Sequence, residues 1–209
     1  MADDDQQGYA TGQRDHQRHT VTGRVVAHFG SSARHEVGVS VLTCTIRNDT
    51  RRNAVALHYR GGAGPWNLMR EALRYSYGTS HSASQTYGGL DANSAVILGA
   101  FGYPYPVASR GDIYIANLSY DIPSKQGPFG GFKIYNDHSI LRKRVGNYKS
   151  SLQNVSGMTF SAGKWVFYAD FMLGKHHPDI SPDGGGLAST SSVHDGFTRR
   201  VNVQAGYYF

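Results

Sequence analysis

Apolar and polar side chains alternate with a period of two in segment after segment of this chain, most clearly toward its C-terminus. From Gly196 to Phe209 the odd positions Val201, Val203, Ala205, Tyr207 and Phe209 oppose the even positions Arg200, Asn202, Gln204, Gly206 and Tyr208. Successive side chains of a strand point to opposite faces, so this spacing predicts a strand with one apolar and one wet face. Residues 164–174 repeat the pattern, with Trp165, Phe167, Ala169, Phe171 and Leu173 against Lys164, Tyr168 and Asp170. Residues 20–29 do so again, with Val21, Val25, Ala27 and Phe29 against Arg24 and His28.

The segments between are less regular. Residues 36–47 place Val37, Val39 and Val41 on one face, but Leu42, Cys44 and Ile46 break step and predict a bulge or a two-sided environment. Residues 53–60 alternate, and Gly61 to Gly64 predict a tight turn. Residues 65–77 read as a strand with Trp66, Leu68, Arg70, Ala72 and Arg74 on one face, although Pro65 also suits a helix start. Residues 79–91, rich in Ser, Gly, Thr and Tyr, predict a loop. The run AVILGAFGY at 95–103 is apolar on both sides, stops at Pro104 and Pro106, and suits a segment buried in protein. Strands follow at 112–121, around Phe132 to Tyr135 and at 152–162. The basic stretch 138–149, with Arg142, Lys143, Arg144 and Lys149, and the stretch 175–195 predict loops.

These elements predict an all-β antiparallel fold. The strand lengths fit tilted membrane-crossing strands, and the same alternation fits a soluble sandwich. Loop lengths favour the former: short connections at 61–64, 123–131 and 161–163 fall at one end and long ones at the other. That parity holds only if 78–110 is one long excursion carrying the AVILGAFGY run, and it leaves about nine spanning strands. Single-chain bacterial barrels have even numbers, so the expectation is the C-terminal portion of a larger barrel. Residues 1–19 are polar, with Asp3, Asp4 and Asp5 together and no signal-peptide core, and predict an irregular or disordered segment ahead of a barrel segment at 20–209.

Composition narrows the classes. The 209 residues include 14 Tyr and 26 Gly, and no apolar run approaches the length of a spanning helix. A single cysteine, Cys44, excludes an intrachain disulfide and reads as structural. The formal charge of +6 suits anionic lipid or an anionic solute, and no basic cluster interleaved with aromatics points to nucleic acid.

The run GDIYIANLSYDIPSKQGPFGGFKIYNDHS, followed by LQNVSGMTFSAGKWVFYADFMLGKHHP and the closing strand to Phe209, resembles the C-terminal half of Gram-negative outer-membrane porins, of the phosphate-selective porin O and P type. The closing Phe resembles the assembly signal of bacterial outer-membrane proteins. The resemblance implies a homotrimeric outer-membrane channel of about sixteen strands for small hydrophilic solutes, with lipid bilayer and lipopolysaccharide as partners.

Catalytic chemistry finds no pattern. His176 and His177 are adjacent and diverge if extended, and no metalloprotease, nucleophile-elbow or phosphate-loop motif is present. Asp179 and Asp183 lack calcium-loop spacing. No catalytic residue, metal or cofactor is therefore expected. The expected pore-lining set is Arg24, His28, Lys133, Lys164, Asp170 and Arg200, with mild anion preference. The expected lipid-facing and assembly set is Trp165, Phe167, Phe171, Val203, Tyr207 and Phe209. The alternatives are a soluble β-barrel or sandwich binding a small apolar ligand, and an outer-membrane barrel enzyme.

Overall fold

A computed structural model describes residues 18–31, 34–45, 51–78, 86–87, 90–91, 94–100, 103–123, 129–146, 148–177, 180–181 and 196–209. Nine strands form one antiparallel sheet: β1 (Arg18–Phe29), β2 (His35–Thr45), β3 (Arg51–Ala63), β4 (Trp66–Tyr77), β9 (Arg110–Asp121), β10 (Phe129–Lys143), β11 (Ser151–Ala162), β12 (Trp165–Lys175) and β13 (Thr198–Tyr207). Each pairs with the next in that order, and β1 and β13 are left as the two edges, so the sheet is not closed. Four short strands lie outside it. β5 (Thr86–Tyr87) pairs with β6 (Leu90–Asp91), and β7 (Ala95–Ala100) pairs with β8 (Tyr103–Ala108).

The excursion between β4 and β9 thus carries two short strand pairs of its own and adds no strand to the main sheet, as the parity argument expects. Its foot is fixed by a hydrogen bond from the Tyr75 hydroxyl to the Ala108 carbonyl at 3.0 Å and by a small core of Ala95, Ala108 and Val145 beside Tyr148. Pro104 and Pro106 sit within β8 and do not end the strand pattern there. A two-stranded ribbon has outer edges that need no amide donor, and proline is tolerated on such edges.

Three other expectations change. The β2 register runs without interruption from Glu36 to Thr45, so there is no bulge: Leu42 and Cys44 are apolar residues on the face opposite the exposed Val37, Val39 and Val41. Gly61 and Gly62 belong to β3, and the turn is confined to Gly64 and Pro65. Side chains crowd Gly61: His35 and Tyr59, bonded Nδ1 to hydroxyl at 2.9 Å, close over the space a Cβ would need. The basic loop shortens as well, because β10 continues through Arg142 and Lys143. Residues 1–17, most of 79–93 and most of 178–195, with their expected irregular structure, fall outside the described residues.

All partner residues in an antiparallel ladder share a face, so the registers sort every main-sheet side chain onto one of two faces. One carries Val21, Val25, Val37, Val39, Val41, Val55, Leu57, Trp66, Leu118, Ile134, Met158, Trp165, Phe171, Val201, Val203 and Tyr207. These side chains are exposed or half-exposed, most of all on the edge strands, where Val25 and Val203 each retain 77% of their surface. No other described element covers this face.

Two further regularities mark the apolar face. Aromatics gather at the rim that bears the short turns: Trp66 meets Tyr120 at 4.7 Å, Trp165 meets Tyr207 at 5.1 Å, and Phe160 stacks on Phe167 at 4.9 Å. Cations gather at the opposite rim, where Arg51, Arg74, Arg110, Arg142, Lys175 and Arg199 share the same face. Between them the apolar band runs obliquely to the hydrogen-bonded rows. Val39, at the middle of the β2 valines, connects through Leu57, Ala72, Tyr114, Ile140 and Leu152 to Lys175 on β12. The middle of the apolar run on β12 is Ala169, six residues back, after six strand-to-strand steps. A drift of one residue per strand, with a rise of about 3.3 Å and a spacing of about 4.8 Å, corresponds to strands tilted by about 35° to the normal of the band.

Candidate pore-lining face

The opposite face is polar, and its side chains are bonded to one another across strands. On β1 to β3, Glu36 accepts from Arg24 at 2.7 Å and meets His58 Nε2 at 2.8 Å, with His28 at 3.8 Å. Arg24 Nη2 and His58 Nε2 are themselves 3.1 Å apart. Gly38 makes this cluster feasible, since a Cβ there would fall 2.7 Å from Val26 and 2.8 Å from His58 Nε2. The absence of that side chain lets the imidazole lie across β2 toward Glu36.

Further along, Asn67 on β4 donates to Asp121 on β9 at 2.8 Å, and Lys133 on β10 pairs with the same carboxylate at 3.3 Å. Asn117 donates to Asp137 across the β9–β10 pair. The Tyr135 hydroxyl donates to Asp170, which also accepts from Asn202 at 3.2 Å. Arg34, at the entry to β2, donates to the Gly64 carbonyl at 3.2 Å and so ties two neighbouring turns together. These groups surround a polar concavity of about 740 Å³, lined by Arg34, Arg60, Asn67, Asn117, Asp121, Lys133, Asp137 and Tyr168 among others. A second, apolar depression of about 460 Å³ lies nearer the loop rim, around Thr22, Leu42, Ala54 and Leu73.

Five of the six expected pore-lining residues, Arg24, His28, Lys133, Asp170 and Arg200, lie on this polar face. Lys164 does not: it occupies the two-residue turn with Gly163 between β11 and β12, at the rim. Of the expected lipid-facing set, Trp165, Phe167, Phe171, Val203 and Tyr207 lie on the apolar face, and Phe209 follows β13, with its ring 6.2 Å from Tyr207 and fully exposed.

The polar face also carries residues not expected there, including Glu36, Glu71, Asp121 and Asp137 beside Asp170. Their signal was the parity that places Arg24 and Lys133 on this face, read for the acids as well as the bases. Against Arg24, Arg52, Arg60, Lys133, Lys143 and Arg200, these carboxylates bring the fixed charge of the face close to balance. The argument for the expected mild anion preference from excess lysine and arginine therefore weakens.

Among the described residues no group of three or more His, Cys, Asp or Glu is placed to hold a metal ion, and no helix is long and apolar enough to cross a membrane. No family model matches this chain, and no curated protein or solved structure matches it either.

Proposed function

We propose that the nine-stranded sheet is a segment of a larger transmembrane β-barrel whose polar face lines a water-filled channel for small hydrophilic solutes. The oblique apolar band carries this reading. A slab of hydrocarbon meeting tilted strands selects apolar residues in a band of constant depth, which crosses the hydrogen-bonded rows at the tilt angle. Barrel strands tilt by about 35–45°, the range that the drift from Val39 to Ala169 implies. A water-facing sheet has no such slab to select the drift.

The rims agree with this assignment. Aromatic girdles sit at membrane interfaces, and short turns mark the periplasmic end of outer-membrane barrels. The cationic rim then lies outward, where Arg and Lys meet the phosphates of lipopolysaccharide. Closure requires further strands at β1 and β13, because an unpaired edge cannot remain in hydrocarbon. Near-balanced charge on the lining face favours weak ion selectivity over strong.

The protein supplies its own probe. Its two tryptophans, Trp66 and Trp165, are both on the apolar face at the aromatic rim. With the closed barrel in vesicles of lipids brominated at defined acyl depths, fluorescence from these two tryptophans should be quenched strongly by bromine near the headgroups and weakly by bromine near the bilayer centre. Emission insensitive to bromine at every depth would overturn the proposal.

A further inference from the structure

The polar concavity of about 740 Å³ lies toward the rim of short turns and spans three neighbouring rows of the sheet. Arg60, Asn117 and Asp137 share one row, and Asn67, Ser119 and Tyr135 share the next. Asp121, Lys133, Thr159 and Tyr168 form the third. Two glycines shape its floor. Gly62 leaves an opening on β3 over which the Arg34 guanidinium reaches, 3.8 Å from where a Cβ would stand. Gly157 lets Tyr135 lie across β11 to Asp170, since a Cβ there would fall 2.6 Å from the ring. The charges cancel where they stand: Arg34, Arg60 and Lys133 are set against Asp121, Asp137 and Asp170. Asp121 accepts from Asn67 at 2.8 Å and pairs with Lys133 at 3.3 Å, Asp137 accepts from Asn117, and Asp170 accepts from Tyr135. Arg60 has no hydrogen-bond or ion-pair partner among the described residues.

We infer that this concavity is a binding subsite for neutral sugars of mono- or disaccharide size. The inference rests on the channel reading and gives it a class of solute. With three cations against three carboxylates, an inorganic ion gains little from the net field of the site. Lys133 stands among the acids, which blunts any field aligned with the dipole of a zwitterion. An apolar solute would strip water from fixed polar groups and return no hydrogen bond. A sugar meets what remains. Each of its hydroxyls donates once and accepts twice; the carboxylates and the Ser119 and Thr159 hydroxyls keep acceptor capacity, and Asn67 and Asn117 each keep a second N–H. Arg60 presents a planar fork of donors that suits two adjacent oxygens. Tyr135 and Tyr168 add ring surface for the C–H face of a pyranose. The volume falls among those of pockets that hold small organic solutes, about 300–1,000 Å³. Each contact replaces one with water, so binding is weak, as passage requires: a solute must be held well enough to enter and loosely enough to leave.

The test uses the closed barrel in a planar lipid bilayer, with ion current as the readout. Cellobiose should reduce the current saturably, with half-block at about millimolar concentration. Tetraethylene glycol, which carries ether oxygens in place of a hydroxyl array, should lower it only as far as it lowers the conductivity of the bathing salt. Asp137→Ala should raise the half-blocking concentration by about tenfold or more and Thr159→Val by about threefold, the losses expected for a charged and a neutral hydrogen bond. Ser40→Ala, on the same face nearer the loop rim, should leave it unchanged. The unit conductance of each variant reports that it has folded and opened. The inference is overturned by equal effects of cellobiose and the glycol, by a saturable block that survives both Asp137→Ala and Thr159→Val, or by a stronger block from inorganic phosphate or glycylglycine at the same concentration. A closed barrel that inserts and carries no current would instead bring down the channel reading, and this inference with it.

Discussion

Placing an arginine along the apolar face should reveal the depth of each position, and two positions suffice for a quantitative comparison. Ala169 is at the middle of the band on β12, and Leu152 lies on β11 in register with Lys175. From Ala169 to Lys175 the chain rises about 20 Å along the strand, at about 3.3 Å per residue. Projected through a tilt of about 35°, that is a change in depth of about 16 Å, against a half-thickness of about 12 Å for the apolar band of an outer-membrane barrel. In the proposed barrel Lys175 would therefore already sit at the interface, and Leu152 near it. Ala169→Arg should cost about 2–4 kcal/mol and Leu152→Arg about 0–1 kcal/mol from the lipid term alone. The alanine change removes almost no packing, so its cost reports the medium; the leucine change adds lost contact area and biases the comparison against the expected order. Denaturant titration of the closed barrel in vesicles, with linear extrapolation, measures both. Equal costs at the two sites, or a larger cost at Leu152, would refute the tilt and with it the slab.

Two other outcomes are expected. Glu36→Gln releases Arg24 and His58 from their shared carboxylate, so reversal potentials of the complete channel under a salt gradient should move toward anion selectivity and Arg24→Gln should move them the other way; no change in either would remove these residues from the lining, and both shifts should shrink in molar salt as the Debye length falls to about 3 Å. Deleting Phe209, which is fully exposed with its ring 6.2 Å from that of Tyr207, should leave the stability of the folded protein within about 0.5 kcal/mol, as for other exposed sites, yet lower the amount assembled in the outer membrane; normal assembly of the truncated chain would argue against a recognition role.

Much of the architecture was legible because a period of two is hard to mistake where one face is uniformly apolar. Trp165 to Leu173 and Val201 to Tyr207 announced both their strands and their faces. Reading failed where a strand leaves the band. Arg142 and Lys143 resembled a loop because charge usually marks one, but the structure continues β10 through them at the cationic rim. Leu42 and Cys44 misled in the opposite sense. They are apolar residues on the polar face, Leu42 next to Ala54 and Leu73, and local alternation carries no information about a neighbour two strands away. The acids of the polar face were missed because the parity was followed for the bases and not carried to Glu36 and Asp121, which stand near strand ends.

The oblique band also constrains how the strands find their partners. A slip of one residue between neighbouring strands turns every side chain to the wrong face and is rejected at once. A slip of two preserves the facing, so alternation cannot detect it. It would, however, displace one strand by about 6.6 Å along its length, pulling a charge such as Lys175 or Arg74 toward hydrocarbon on one side and lifting an aromatic into water on the other. In the proposed barrel a lipid layer would act as a ruler laid across the sheet, and the distribution of tryptophans and arginines would supply its graduations, correcting an error to which the backbone hydrogen bonds are blind.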